Sequence, residues 1–567
     1  MFLAVALSLV ILLGWSWATE RFFPTPEPTR PAVEAPAAGT PAAPQASPAD
    51  VAAPAAAPPA QLQNRAKVLA STPRVRIDTP SLEGSINLKG AQIDDLLLDT
   101  HRNHLDEDAP PVRLFSPLGA PNSQAASFGW VGPAGYVPTL DTVWTADSNV
   151  LAPGRPVTLT TQLPSGISFA IRIAMDEGYL FNIRQSATNS TAGPVSVRPL
   201  GLISRSGKSA DISSWTHHVG PIGVVDGKAD YGVDWESLDE GAGHKMSGPS
   251  GWLGFTDKYW LAALAPNGPI SADFRRGRNG GYQADYVLAP ADLAPGQSGT
   301  TDTRLFAGAK EKVWLDRYEE AGIAKLSKSI DWGWFEWFMR PIFALLLALF
   351  KLTGNFGLAI IGLTLIVRII MFPIANKQFA SMAAMRKLQP KMKAIQERFK
   401  EDKPRQQQEI LKLYQAEKIN PAAGCLPLLL QIPVFYALYK VLTVSVEMRH
   451  QPFVLWIKDL SAPDPLTPVN LFGLLDFTPP AILAIGVLPI MVGFTQWLTM
   501  KLNPQPMDPM QAQIFAWMPW VLVIVMAPFA AGLQLYWMTN NVLSIAQQWW
   551  LYRRYGLHLS DTHPVET

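Results

Sequence analysis

Apolar and polar positions change their spacing four times along the chain. Residues 1–18 (MFLAVALSLVILLGWSWA) are apolar from the first position. A bilayer crossing takes about 20 such residues, so this run is expected to be an N-terminal transmembrane anchor. A cleaved signal peptide is the alternative, since Ser16 and Ala18 resemble a small-x-small cleavage site, but the basic flank that such a peptide wants is missing. On either reading the chain that follows is exported. Residues 19–65 are dominated by Pro and Ala (PAAPQASPADVAAPAAAPPA) with few large apolar side chains. Such a stretch cannot bury enough surface to fold and acts as a semi-stiff linker. From 66 to 326 the pattern alternates with period two, as in PRVRIDTPSLEGSINLKG, ISFAIRIAMDEGYLFNIRQ and KYWLAALAP, with Gly, Pro, Asn and Asp between the runs. This predicts a large all-β domain, an antiparallel sandwich of many short strands.

Beyond 327 the pattern turns membrane-like. Residues 331–351 crowd Trp332, Trp334 and Trp337 around Glu336 and Arg340, which suits a helix lying in the membrane interface. Apolar runs follow near 356–373, 425–444, 481–500, 513–528 and 532–550, and with the anchor these predict six transmembrane helices, five of them forming a core within 327–555. The stretch between the second and third spans carries eleven basic residues against five acidic ones. Positive loops stay in the cytoplasm, and Lys501 and Arg553–Arg554 agree with that orientation. Arg21, on the exported side of the anchor, is the one misfit. Within the basic loop Phe379, Met382, Met385, Leu388, Met392, Ile395 and Phe399 recur at helical spacing, with a bend expected at Pro390. Ile410, Leu413 and Tyr414 begin a second helix after DKPR. A cytoplasmic helical hairpin over 378–418 results, and Lys387, Lys391, Lys393, Arg398, Lys400 and Arg405 are its candidate contact residues. A basic hairpin beside a membrane meets anionic lipid or RNA phosphate; a solvated hairpin without a partner is the plain alternative. Residues 556–567 form a cytoplasmic tail.

Composition narrows the chemistry. Of 567 residues 48% are apolar, only 16% are charged, and the net charge is +1, so electrostatic signals are local. The lone cysteine, Cys425, excludes an intramolecular disulfide framework and a multi-cysteine zinc site, and reads as a small buried apolar residue. His101, His104, His217, His218 and His244 are scattered in turn-rich stretches and read as ordinary loop residues. GLISRSGKS (201–209) has five residues between its glycines where a phosphate loop needs four, and lies in β-type sequence. Paired carboxylates that would make the β-domain a carbohydrate enzyme are missing, so no catalytic residue, metal, cofactor or DNA partner is expected.

One charge stands out. GLTLIVRIIMFP (362–373) places Arg368 inside an apolar run, roughly 18 Å from the outer end of its span and about 12 Å from the inner end at ~1.5 Å per residue. An arginine near mid-membrane costs at least ~2.5–3.5 kcal/mol, unless it snorkels to the headgroups or faces water. Thr364 one turn earlier, Gln431, Thr495, Gln496, Gln534, Thr539, Asn540 and Asn541 interrupt the other spans, and no acidic residue occurs in any of them. A guanidinium in such a wet site is a docking point for a visiting carboxylate. An anion transporter would use the same arginine, but no internal repeat accompanies it.

GNFGLAIIGLTLIVRIIMFPIANKQFASMAAMRKLQPKMKAIQERF, YQAEKINPAAGCLPLLLQIPVFYALYKVL, PFVLWIKDLSAPDP and DPMQAQIFAWMP closely resemble the YidC/Oxa/Alb family of membrane protein insertases. The anchor, linker and β-domain resemble its Gram-negative arrangement. The resemblance implies a multi-pass protein of the bacterial inner membrane with a periplasmic β-supersandwich, and a five-helix core whose groove opens to cytoplasm and lipid. It implies insertion and folding of membrane proteins, alone or with the Sec translocon. The implied partners are nascent membrane proteins, the ribosome and signal-recognition targeting machinery, and anionic lipids. Arg368 falls on the family's groove arginine, Thr364 on the threonine before it and Tyr536 on the aromatic position of the last span; Gln431, Gln496, Gln534 and Asn540 complete the candidate groove set. The turn before the last span departs from the usual Pro-Ser-Gly, reading Ala530-Ala531-Gly532 with Pro528 displaced.

Overall fold

Alternation in sequence becomes alternation in burial. The strand Ile167–Met175 buries Ile167, Phe169, Ile171, Ile173 and Met175 while the residues between them are half-buried or exposed, because successive side chains of a strand leave on opposite faces. The computed structural model describes residues 62–554 except 107, 212–216, 278–279, 418–425, 473, 476, 478–479, 481–483 and 503–508. The expected anchor 1–18, the linker 19–65 up to residue 61, Cys425 and the tail 556–567 lie outside the described residues.

Among the described residues the β-region forms two sheets, of eleven and nine strands. In the smaller one Leu180–Asn189 is central, antiparallel to Ile167–Met175 on one side and to Ser298–Ala309 on the other. One apolar cluster runs between the sheets, with Trp130 at 4.6 Å from Phe169 and stacked on Trp144 at 6.4 Å between ring centroids. GLISR of the glycine-containing stretch is the end of the strand Val195–Arg205, so its backbone donors serve a ladder and cannot cradle a phosphate. His101 pairs with Glu311 at 3.0 Å, His244 with Asp230 at 2.8 Å, and the His218 ring with the Pro221 carbonyl at 2.7 Å.

Ten helices are described: α1 (Arg65–Ala70), α2 (Trp235–Asp239), α3 (Lys312–Glu320), α4 (Glu336–Thr353), α5 (Phe356–Arg398), α6 (Lys403–Ala416), α7 (Leu426–Val444), α8 (Val487–Leu502), α9 (Pro509–Met526) and α10 (Ala531–Arg554). α4 buries Met339, Ile342, Phe343 and Leu346, one face at spacings of three and four, against α5 and α7, while Trp337 on it and Trp334 just before it are exposed. Lys328 and Arg340 both pair with Glu336 across its first turn.

α5 differs from the expected pattern of a span followed by a separate hairpin helix. It is one helix of 43 residues, with Pro373 and Pro390 inside it. Each proline removes one backbone donor, and the ladder on either side carries the helix through. Its first turn abuts the loop after α7 so closely that a Cβ on Gly357 would lie 1.9 Å from the Phe453 ring. The expectation of six spans also meets a difference. Among the described residues one stretch, Phe356–Asn376, is long and apolar enough to cross a membrane, while the apolar stretches Gln431–Val444, Val487–Leu502 and Gln513–Met526 are shorter. Among the described residues α8 has 16 residues, about 24 Å against a hydrocarbon core of ~30 Å, and α10 is interrupted by Gln534, Asn540 and Asn541.

The β-region is fastened to this helical part at its C-terminal side. Lys310, buried just after the strand Ser298–Ala309, donates through Nζ to Thr256 Oγ1 (3.1 Å), the Asp257 carbonyl (2.8 Å) and the Ser329 carbonyl (3.3 Å). Glu447, just after α7, accepts from the Lys312 N–H at 2.7 Å. Arg449 donates to the carbonyls of Arg102 (2.7 Å) and Asn103 (3.1 Å) and lies 5.5 Å over the Trp260 ring. Asp331 accepts from the His218 N–H at 3.1 Å and stands 4.0 Å from Lys440 Nζ of α7.

Candidate functional site

The last helix, α10, is where the polar side chains of the helical part converge. It packs on α5, α7 and α8, and to each it offers a different polar residue. Toward α5, Asn540 and Ser544 stand one turn apart on one face and hold Arg368. The guanidinium donates through Nε to Asn540 Oδ1 at 2.7 Å and through Nη2 to the Asn540 carbonyl at 3.0 Å and to the Ser544 hydroxyl. Every one of these acceptors is neutral. Among the described residues Nη1 donates to nothing. The half-buried Arg368 is thus oriented by a neighbouring helix without being neutralised by it, and can offer two N–H groups to an anion.

Toward α7, the Gln431 amide donates to the hydroxyl of the buried Tyr536. Toward α8, Trp537 Nε1 donates to Gln496 Oε1 at 3.3 Å and Asn541 Nδ2 to Thr495 Oγ1 at 3.1 Å. These pairs lock helix to helix, since a hydroxyl or amide without a partner is costly in an apolar setting. Two expected residues are engaged elsewhere. Thr364 is 1% exposed and its hydroxyl returns to the Ile360 carbonyl of its own helix at 2.7 Å, so it does not reach Arg368. Gln534 is fully buried and its Nε2 donates to the carbonyls of Met526 (2.9 Å) and Phe529 (2.8 Å). It closes the turn between α9 and α10, the turn whose sequence departs from the family's usual one. That turn is further held by the N–H groups of Ala531 and Gly532, which donate to the carbonyls of Ala462 (2.7 Å) and Leu460 (2.9 Å).

Ser544 was not among the sequence candidates, although its spacing of four from Asn540 is a signal that could have found it. Asp464 was also missed. It is buried, accepts from the Leu488 N–H (2.7 Å), Trp456 Nε1 (3.0 Å) and the Leu466 N–H (3.0 Å), and so caps the start of α8 from a distance. No local pattern reveals it, because Leu488 lies 24 positions away.

In the hairpin, Leu388 and Met392 are buried between the far half of α5 and α6, and Gln406 of α6 donates to the Gln396 carbonyl at 2.9 Å. Lys393, Arg398 and Lys400 are exposed. The Arg398 and Arg405 guanidinium groups lie 5.6 and 5.5 Å over the Phe399 ring. Lys391 is paired with Glu417 at 2.8 Å. Lys387 lies on α5, and its side chain is outside the described ones.

Comparison with known proteins agrees with this division of the chain. The family described as YidC periplasmic domain matches residues 74–345, and the 60Kd inner membrane protein family matches residues 348–557. A membrane protein insertase YidC of Zymomonas mobilis is 47% identical over 97% of this chain and 94% of its own length, and one of Methylorubrum extorquens is 44% identical over 98% and 95%. A solved active YidC insertase structure is similar over 84% of this chain and 92% of its own, at 19% identity and a TM-score of 0.38. The class so defined is that of inner-membrane proteins in which a periplasmic β-sandwich domain precedes a helical core. The chain belongs to the YidC family of membrane protein insertases.

Proposed function

We propose that this protein inserts and folds membrane proteins in the bacterial inner membrane, alone or together with the Sec translocon. The reading has six spans: the stretch 1–18, the first part of α5, and α7, α8, α9 and α10, with α4 in the outer interface and the β-region in the periplasm. The exposed basic face of the hairpin receives the nascent chain from the ribosome, the targeting machinery or anionic lipid. Arg368 then holds the short polar exported segment of the substrate part-way across, so that roughly 18 Å of membrane remains to be crossed. The substrate's apolar helix leaves sideways into lipid, driven by burial worth about 0.025 kcal/mol per Å² of apolar surface. Membrane potential adds ~2.3 kcal/mol per charge per 100 mV for an acidic segment.

The observation that supports this best is the state of Arg368: fixed by Asn540 and Ser544 and, among the described residues, facing no carboxylate and with Nη1 uncommitted. A snorkelling arginine would have no need of that fork. The decisive experiment places a photocrosslinker at position 368 and stalls a single-span substrate on the ribosome. Crosslinks from the exported segment are expected at intermediate chain lengths and should fade when the segment has crossed. Crosslinks confined to lipid at every length would overturn the docking role.

A further inference from the structure

Where the β-region meets the helical core, a cavity of about 280 Å³ is left without a part in the insertion cycle proposed above. Lys258 lines it from the turn between the strands Gly251–Thr256 and Trp260–Pro266, Tyr439 and Thr443 from the last turns of α7, and Ser461 from the loop that follows. Phe529 and Leu533 close it from the junction of α9 and α10. The Tyr439 and Phe529 rings meet edge to face at 5.8 Å, a contact that holds one wall together. Among the described residues that line the cavity, Lys258 carries the only charge.

That charge is not neutralised. The Lys258 ammonium lies 4.9 Å over the Tyr259 ring and, among the described residues, forms no ion pair. Two carboxylates stand close by in the chain, and both are occupied: Asp211 accepts the Lys258 N–H at 2.9 Å, and Asp459 takes the Ser461 N–H and hydroxyl, both at 2.7 Å. Neither lines the cavity. Thr443 returns its hydroxyl to the Tyr439 carbonyl at 2.7 Å, while the Tyr439 hydroxyl donates to nothing among the described residues. The lining therefore offers a polar visitor one cation and one uncommitted hydroxyl. The cavity also stands in line with Arg368. Leu533 lies seven positions before Asn540 on α10, about two turns away on the same face and roughly 10 Å nearer the cavity. Between the two sites the helices close: Leu363, Leu438 and Tyr536 are buried, and a Cβ on Gly532 would lie 2.9 Å from Leu442 Cδ2 and 3.2 Å from Ile360 Cδ1. An apolar layer thus has a cation on each side.

We infer that this cavity receives the acidic exported segment of the substrate after Arg368 releases it, with Lys258 as the second cation on the route. This role deepens the one proposed for Arg368 and rests on it. A carboxylate leaving one guanidinium for an apolar layer gains from a positive charge beyond that layer. A polypeptide segment is favoured over a lipid headgroup because the cavity follows Arg368 along one face of α10, and because no carboxylate lines it to turn an acidic chain away. Lys258 is half-buried and acts across water, so it hastens the crossing without being required for it.

The test uses the full chain and a ribosome-stalled single-span substrate, with a photocrosslinker at position 443 in one variant and at 368 in another. Crosslinks from the exported segment are expected at 368 first and at 443 only at longer chain lengths. Crosslinks at 368 with none from the segment at 443 overturn the inference while the docking role stands. Crosslinks at 443 confined to lipid do the same, by giving the cavity to a headgroup. Absence of segment crosslinks at 368 removes the docking role, and the inference falls with it. Rate reads the charge. For a segment carrying two Asp, Lys258→Glu should slow the gain of protease protection about three-fold, the size of an exposed ion pair, whereas Lys258→Arg keeps the wild-type rate and final yields stay alike. A neutral segment should cross equally fast in all three proteins. An unchanged rate for the acidic segment in Lys258→Glu, or equal slowing of both segments, takes the cation's part from Lys258 and overturns the inference.

Discussion

Arg368→Lys keeps the positive charge and gives up the fork. A compact ammonium can still attract a carboxylate through water, so this variant should insert substrates with acidic exported segments at near wild-type yield. Arg368→Ala should fail most for segments carrying two Asp and least for neutral ones, and Arg368→Glu should be worst for acidic segments, where attraction becomes repulsion. Protease protection of one substrate bearing zero, one or two Asp reads the whole matrix; equal efficiency throughout, at matched protein levels, would return Arg368 to snorkelling. Gln534→Leu is the contrasting case. It strips donors from the Met526 and Phe529 carbonyls and should cost about 1–3 kcal/mol of stability, lowering insertion without regard to segment charge. Lys310 offers a pH test in the β-region. Burial pushes its ammonium down to about 8 from the ordinary 10.5. The folded state therefore gives up its proton first, and stability should rise as pH climbs from about 8 to 10.5, by up to ~3 kcal/mol. Chemical denaturation across that window should show the rise in the wild type and a flatter profile in Lys310→Met.

At the scale of elements, the role proposed for the hairpin rests on its exposed cations. Because Lys391 is held by Glu417, reversing it would break an ion pair as well as the surface charge, so the cleaner triple variant is Lys393→Glu, Arg398→Glu and Lys400→Glu. Ribosome or anionic-vesicle binding should weaken at physiological salt, and its dependence on salt should become shallower as contacts to phosphate are lost; unchanged binding would show that the basic face is not the contact. The period-two strands were legible in advance because each needs only its own side chains to declare a buried face, as Ile167–Met175 does. The continuity of α5 was not, since polarity changes at Lys377 while the backbone hydrogen bonds run on. The start of α8 at Val487 was hidden for another reason: the carboxylate that caps it comes from Asp464, beyond any local window. Arg368 was legible as a charge out of place, yet Asn540 and Ser544 as its holders depend on which helix faces which, and nothing near residue 368 encodes that. Gln534 and Thr364 were legible as polar interruptions, but whether such a residue faces a cavity or closes a turn is decided by rotation about the helix axis.

For the whole molecule, the seam made by Glu447, Arg449, Lys310 and Asp331 ties the β-region to the core more firmly than a Pro/Ala linker at its other end suggests. Deleting residues 74–309 is expected to leave insertion largely intact, since neither Arg368 nor the hairpin touches the seam, while Arg449 loses the Arg102 and Asn103 carbonyls and Asp331 loses the His218 N–H. The core should then melt earlier by an amount equivalent to about 1–3 kcal/mol; complete loss of insertion by a stably expressed deletion would give the β-region a direct part in the cycle. The unbroken α5 carries a further consequence. Its 43 residues extend about 64 Å, with Arg368 in one half and the basic face of the hairpin in the other, so the two are set at a fixed rotational phase. One alanine inserted after Asn376 would turn the hairpin by about 100° relative to the guanidinium while lengthening the rod by only ~1.5 Å, whereas four would bring it back to within about 40°. If a chain received at the hairpin is delivered in line with Arg368, the single insertion should cripple insertion and the fourfold one should recover it, a dependence on angle and not on length.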